Sequence, residues 1–483
     1  FAVIGDGALS GGMAFEALNN AARLKSNLVI VLNDNQMSIS KNVGGMSNYL
    51  GNIRTNTNYT GLKEDVENRL RSMSHIGNVL ADHIKGAKDI VKRLFVPGML
   101  FEDMGITYIG PIDGHDVRQM VNAFENASKL QKAVIVHVCT KKGKGYLPAE
   151  NDPSAFHGVA PFKPSDGSLK NKEKQLTYTS VFSKKIVELA DRDENIAAIS
   201  AAMPSGTGLS AMAAKYPNRF FDVGIAEEHA VALVSGIAKN GGKPVLGTNA
   251  TFIQRSYDQI SQDLCINSNP ATIVLNYTSV AGLTDVTHLG IFTIAEFSNI
   301  PNLVLLAPTN KAEYFAMLDW SIEQQEHPVM ILMPGNGVID DGRVAEKDYS
   351  NIINKFKVEE KGSKVAILGL GDFYQIGEEV SKMVEEKLGF KPTLVNPRFA
   401  SSVDKELLND LKQDHDLVIT LEDGILRGGF GESIASFYGD SDIKVKNYGL
   451  EKKFYDRYNP SQLLDELGIT PEKIVKYIES MMK

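Results

Sequence analysis

Short apolar runs, each closed by glycine or a polar turn, alternate along this chain with stretches of helical period. The opening "FAVI", a glycine-punctuated turn, a helical pattern over Met13–Leu24 and "NLVIVL" predict a βαβ unit. "FAVIG" reads as a buried parallel strand, which needs neighbours. The expectation is therefore that an upstream portion of the protein precedes Phe1. Residues 41–105 are polar and glycine-punctuated, with predicted helices around Lys63–Ser74 and Asn78–Phe95. That is long for a connection and suggests a mobile excursion over a site. "ITYIG", a helix near Val117–Leu130 and "AVIVHV" predict a second βα unit, and residues 147–176, rich in Pro, Gly and charge, read as a linker.

From about 177 to 335 the strands "IAAIS", "RFFDVGI", "KPVLGT", "ATIVLN" and "LVLLAP" alternate with helices over Tyr178–Asp191, Glu228–Lys239, Ser256–Cys265 and Lys311–Gln324. From about 355 the order is "KVAILGLG", helix Gln375–Leu388, "PTLVNPRF", helix Lys405–Gln413, "LVITLED" and "GGFGESIASF". The predicted fold class is α/β, with three domains (1–165, 171–335 and 350–483) built on mainly parallel sheets.

Composition narrows the function classes. The length of 483 residues suits two or three cores rather than one, and 43% hydrophobic with 23% charged residues describes a globular protein. The net charge of −8 is spread out, and the lysine clusters "TKKGKGY" and "KNKEK" are too short for a nucleic-acid face. Cys139 and Cys265 sit far apart in apolar runs and read as reduced core residues. No signal peptide or run of membrane-spanning length is seen, so the expected location is cytoplasmic, with no nucleic-acid or membrane partner.

The chemistry begins at the strand ends. Asp6 closes the first strand and Asn35 closes its neighbour 29 positions later. Carboxyl ends of parallel strands face a ligand crevice, so both side chains can reach one point. Aspartate and asparagine offer hard oxygen, which suits Mg²⁺ rather than zinc. The glycines of "GDGALSGG" allow close backbone approach of a diphosphate at a helix N-terminus.

This strand–GDG–helix–strand–NDN array resembles the thiamine-diphosphate signature. With "YIGPIDGHD", "TKKGKGY", "FDVGIAEEHAV", "TFIQRSYDQ", "DVTHLGIF", "NPRF" and "GGFGESI", the chain is similar nearly throughout to the transketolase-like 1-deoxy-D-xylulose-5-phosphate synthase family. The resemblance implies diphosphate-binding, pyrimidine-binding and transketolase C-terminal domains, with thiamine diphosphate and Mg²⁺ as cofactors. It implies Asp6, Asn35 and the Met37 carbonyl as metal ligands, and Gly7 and Ala8 beside the diphosphate. Glu227 would hydrogen-bond the aminopyrimidine N1′, and Phe252 would stack on that ring. His115 and His288 would act on substrate, with Arg255 and Asp285 binding it. Pyruvate and an aldehyde, expected to be phosphorylated, are the implied substrates, and a homodimer the implied assembly. The missing upstream portion would be the start of the first domain.

The chain departs from the family where the acceptor phosphate would sit. Tyr277 stands in place of one arginine, and Ile331 and Pro334 where others would stand. Asn249 replaces a tyrosine, and Thr284 aligns with the usual substrate aspartate, beside Asp285. A synthase paralogue with a different acceptor, a transketolase proper, and a non-catalytic paralogue or a subunit needing a separate N-terminal chain are the competing readings. "VAILGLGDFYQIG" resembles a dinucleotide motif but has its third glycine misplaced, and no dinucleotide is expected.

Overall fold

The computed structural model describes residues 1–24, 26–55, 99–170, 176–333, 335 and 337–483. The helices expected around Lys63–Ser74 and Asn78–Phe95, most of the excursion over 41–105, and Pro334 lie outside these residues. Two compact units form, Phe1–Glu173 with Val223–Ala226, and Lys174–Asp222 with Glu227–Lys483.

The first unit is a parallel sheet of β1 (Ala2–Gly5), β2 (Val29–Asp34), β3 (Thr107–Asp113) and β4 (Val134–Cys139), in the order β1-β2-β4-β3. The side chains of β4 alternate between two cores, as strand geometry requires. Ile135 joins Leu18, Leu32, Phe101 and Tyr108, while Val134, Val136 and Val138 pack with Ala123 and Ala127 of helix Val117–Lys129. That helix starts where Asp116 accepts hydrogen bonds from the Arg118 and Gln119 amides, a side-chain N-cap. The expectation of a buried β1 is not met among the described residues: β1 pairs with β2 alone there and Val3 is 76% exposed, and the upstream neighbours expected for this strand are not among those residues.

The second unit carries two sheets. The first joins β5 (Ile196–Ser200), β6 (Phe220–Asp222), β7 (Lys243–Asn249), β8 (Ala271–Asn276), β9 (Val304–Leu306) and β10 (Pro328–Leu332) in the order β6-β5-β7-β8-β10-β9, all parallel. The second joins β11 (Lys357–Glu360), β12 (Lys364–Leu370), β13 (Thr393–Asn396), β14 (His415–Ile425) and β15 (Lys444–Leu450) in the order β11-β13-β12-β14-β15. Only the β11–β13 pair is antiparallel. The fold is thus α/β with three mainly parallel sheets, as the alternating pattern predicts. In the six-stranded sheet β6 lies on one side of β5 and β7 on the other, so the chain reverses direction across the sheet between them. Such a switch point opens a crevice at the carboxyl ends of the strands, where helix Glu227–Lys239 starts and where β7 leads into Phe252.

The helix expected over Ser256–Cys265 is a correction too. It is a broken element that ends in a π-helix over Ile260–Cys265. The Asp263 carbonyl is taken by side chains instead of a regular helical amide: Ser235 Oγ at 2.9 Å and Asn267 Nδ2 at 3.0 Å. Competition of this kind is how polar side chains deform a helix. Among the described residues no helix is long and apolar enough to cross a membrane.

Candidate functional site

In the first unit the turn after β1 buries Asp6, which is 6% exposed. Its Oδ2 accepts from the Gln36 amide at 2.7 Å and from Asn42 Nδ2 at 2.8 Å. Its Oδ1 is buried with no hydrogen-bond partner. A buried carboxylate oxygen left alone is expensive; burial and the neighbouring Asp34 push the Asp6 carboxyl up to about 6. A hard cation would satisfy that oxygen, so the donor chemistry fits Mg²⁺.

Asn35 follows the last residue of β2, half-buried, with its Oδ1 accepting from the Met37 amide at 3.0 Å. Between them Gln36 takes φ 64°, turning the backbone so that residues 35 and 37 flank the bend. Gly7 is required by its surroundings. A Cβ there would lie 2.8 Å from Asn42 Oδ1 and 3.2 Å from the Ser38 Cβ. Ala8 follows in a short turn of 3₁₀ helix, which Ser10 ties to the segment 223–226 by accepting from the Ile225 amide at 2.9 Å.

Two residues that sequence reasoning did not single out join this group. The Lys142 ammonium donates to the Ser38 carbonyl and lies 2.9 Å from His157 Nδ1. Burial pushes Lys142 down, and the charge of Asp6 opposes that shift. Only the lysines of "TKKGKGY" as a class had drawn notice; nothing in the string marks which of them turns inward. His115 is exposed, and its Nε2 accepts from the Lys141 amide at 3.0 Å, which fixes its proton on Nδ1.

In the second unit Glu227 begins its helix, 4% exposed. Burial pushes its carboxyl up, and the Arg255 guanidinium partly opposes this. Arg255 binds both acids, Nη1 to Glu227 Oε2 at 3.0 Å and Nε to Glu228 Oε1 at 2.9 Å. The expected substrate arginine is therefore engaged with two glutamates. Phe252 and His288 come together, ring centroids 5.5 Å apart and edge to face. The His288 Nδ1 lies 2.7 Å from the Thr287 hydroxyl and 3.5 Å from Asp285 Oδ1. Asp285 also accepts from the Thr287 hydroxyl and from its amide, and these bonds lower its carboxyl.

Of the departures, Tyr277 follows β8 at φ 58° and is half-buried. Ile331 lies inside β10, fully buried in the core. A side chain at that position packs in the core and does not reach a crevice.

Residues 1–140 match a family described as "1-deoxy-D-xylulose-5-phosphate synthase". Residues 174–337 match "Transketolase, pyrimidine binding domain" and residues 354–474 "Transketolase, C-terminal domain". The chain is 45% identical over 480 residues to the 1-deoxy-D-xylulose-5-phosphate synthase of Lachnoclostridium phytofermentans, covering 99% of this chain and 76% of that protein. It is 44% identical over 459 residues to the enzyme of the same name from Halothermothrix orenii, covering 94% and 71%. Among solved structures, a transketolase from Campylobacter jejuni superposes over 99% of this chain and 76% of its own, with a TM-score of 0.54 and 17% identity. A split-gene transketolase covers 63% of this chain and 98% of its own, with a TM-score of 0.56 and 24% identity. These two likenesses show the fold.

Proposed function

The chain belongs to the 1-deoxy-D-xylulose-5-phosphate synthase family, and we propose that it decarboxylates pyruvate and transfers the two-carbon unit to an aldehyde, nominally glyceraldehyde 3-phosphate. Family and domains make it a transferase of the transketolase class, and thiamine diphosphate the cofactor that the family implies. When bound, that cofactor supplies a carbanion and an electron sink for the carboxyl group leaving pyruvate.

The residues have these roles in our reading. Asp6, Asn35 and the Met37 carbonyl hold Mg²⁺, and Gly7 and Ala8 keep the backbone clear beside the diphosphate. Glu227 holds a proton at the pyrimidine nitrogen, a task for a carboxyl whose affinity for protons is raised by burial. Phe252 carries the ring, and His288, edge-on to Phe252, with His115 hydrogen-bonds or protonates the substrate oxygens. Asp285 and Arg255 bind substrate, Arg255 after exchanging a glutamate for it. The three domains (1–165, 171–335 and 350–483), a homodimer and a cytoplasmic location complete the proposal.

The observation that carries the site is the buried Oδ1 of Asp6, which has no hydrogen-bond partner while Oδ2 of the same carboxyl accepts two hydrogen bonds, so that a hard cation would satisfy it. The test is CO₂ release from pyruvate by the full-length gene product with thiamine diphosphate and Mg²⁺, with and without glyceraldehyde 3-phosphate. Acceleration by the aldehyde and appearance of 1-deoxy-D-xylulose 5-phosphate are expected, and no release at all would overturn the reading. Tyr277, where an arginine was expected, favours a second reading in which release occurs but an unphosphorylated aldehyde is the better acceptor.

A further inference from the structure

Directly behind the Asp6–Asn35 pair, the neighbouring strand ends of β2 and β4 bring three different ligand types together. Asp34, His137 and Cys139 each offer one ligand atom, all within 4.8 Å of one another. Asp34 is 1% and His137 0% exposed, and Cys139 is half-buried. The cause is register. Asp34 pairs with Cys139 across the parallel ladder, and His137 lies two residues before Cys139, on the same face of β4.

We propose that Asp34 Oδ2, His137 Nε2 and Cys139 Sγ form a binding site for a borderline-soft divalent cation of the Zn²⁺ class, distinct from the hard-oxygen set at Asp6 and Asn35. A thiolate, an imidazole and one carboxylate oxygen make a zinc donor set, and a poor one for Mg²⁺. The spacing suits it. Tetrahedral zinc with ordinary bond lengths sets its nitrogen and oxygen ligands about 3.4 Å apart and its nitrogen and sulfur ligands about 3.6 Å apart. Here the Nε2–Oδ2 distance is 2.9 Å and the Sγ–Nε2 distance 3.8 Å, and all three atoms lie within 4.8 Å of one another, so shifts on the order of an ångström admit the ion.

Supporting groups are present as well. The Tyr108 hydroxyl lies 2.6 Å from His137 Nδ1. When the ion takes Nε2, the ring carries its proton on Nδ1 and donates to Tyr108, the arrangement by which an outer hydrogen bond fixes a ligating histidine. Arg54 engages the other carboxylate oxygen, Oδ1, at 3.1 Å, which leaves Oδ2 to bind the metal through one atom. Binding releases the thiol proton; the Nε2 proton moves to Nδ1, and a water completes the coordination.

There is a consequence that rests on our reading of Asp6 and Asn35. Asp34 Oδ1 also accepts from the Gln36 amide at 3.1 Å, the same N–H that Asp6 Oδ2 holds at 2.7 Å. Drawing Asp34 toward a soft ion disturbs that shared amide, so Zn²⁺ antagonises Mg²⁺-supported cofactor binding.

The test uses Co²⁺ as a spectroscopic stand-in on the full-length gene product after chelator treatment. A near-ultraviolet thiolate-to-cobalt band is expected, saturating at one ion and displaced by Zn²⁺. Cys139→Ser should abolish the band, Cys265→Ser should keep it, and Tyr108→Phe should weaken binding about 10–100-fold. No band, or a band that survives Cys139→Ser, overturns the site. Should Cys139→Ser fail to fold, competition of the wild type against a chromophoric zinc chelator decides, with less than one ion held counting against. If the band appears but Zn²⁺ leaves Mg²⁺-dependent cofactor binding unchanged, the site stands and the coupling to Asp6 falls.

Discussion

Gly7 illustrates how one missing carbon can hold a site together. Asn42 donates to Asp6 through Nδ2 while its Oδ1 occupies the space where a Gly7 side chain would be. Gly7→Ala should therefore push Asn42 off Asp6 and weaken Mg²⁺-dependent cofactor binding by about tenfold or more, since a hydrogen bond to a charged group contributes about 1.5–3 kcal/mol. Titration calorimetry at fixed thiamine diphosphate would read this, and unchanged Mg²⁺ dependence would refute it. The second residue-scale prediction concerns Glu227. Burial raises its carboxyl and Arg255 restrains the rise. Glu227→Gln should lose about 10²–10⁴ in kcat, the usual contribution of a positioned acid or base. Arg255→Ala removes the cation, so the Glu227 carboxyl should climb further and, because its protonated form is the one that acts, the alkaline limb of the kcat/KM profile should move to higher pH. Arg255→Lys should move it back. A limb that stays in place would mean that Arg255 acts on substrate alone.

At the scale of elements, the loop after β8 is shaped by a close backbone approach. A Cβ on Gly290 would lie 1.8 Å from the Tyr277 carbonyl oxygen and 2.8 Å from the Thr278 Cα. Both are backbone atoms, so Gly290→Ala has no side chain to push aside. We expect a loss of about 3 kcal/mol or more, seen as a lower chemical-unfolding midpoint, together with displacement of His288 two residues earlier. A midpoint within error of wild type would show that the loop can open. The same element shows what can be read from a sequence. Strand–turn–helix punctuation is local, so the sheets were legible, and so were the turn after β1 that carries Asp6 and the helix start after β6 that carries Glu227. Contacts across long separations were not. Lys142 reaches a carbonyl 104 positions away, and Arg255 lies between two glutamates that no spacing rule connects to it.

At the scale of the whole molecule, the second unit encloses an acid pair that should govern how stability depends on pH. Asp423 on β14 and Asp372, in the turn after β12, both line a cavity of about 20 Å³, room for one water. Asp423 Oδ1 accepts from the Val280 amide at 2.7 Å, and Asp372 Oδ2 from the Gly335 amide at 2.7 Å. Burial, then the charge of Asp372, pushes the Asp423 carboxyl from 3.8 up to about 7, while the Ser279 hydroxyl and the Val280 amide oppose the rise. The phenol of Tyr458, whose hydroxyl donates to the Val280 carbonyl at 3.0 Å, feels the charge of Asp423 as well. A carboxyl raised in the folded state keeps its proton there after the unfolded chain has lost it. Its stabilising contribution is therefore complete below about pH 4 and is lost as pH rises through about 7. Asp423→Asn keeps the acceptor toward Val280, cannot ionise, and places an amide next to Asp372. Relative to wild type, the variant should gain stability between pH 5 and pH 8, by an amount on the order of 2–4 kcal/mol for a shift of this size. Glu422, also pushed up to about 7 by burial, remains in both proteins and cancels in the comparison. Unfolding midpoints at the two pH values for both proteins give the double difference directly. If that difference is zero, the pair is ionised in the folded protein, and its charge must be met by a bound cation or by solvent reaching the cavity.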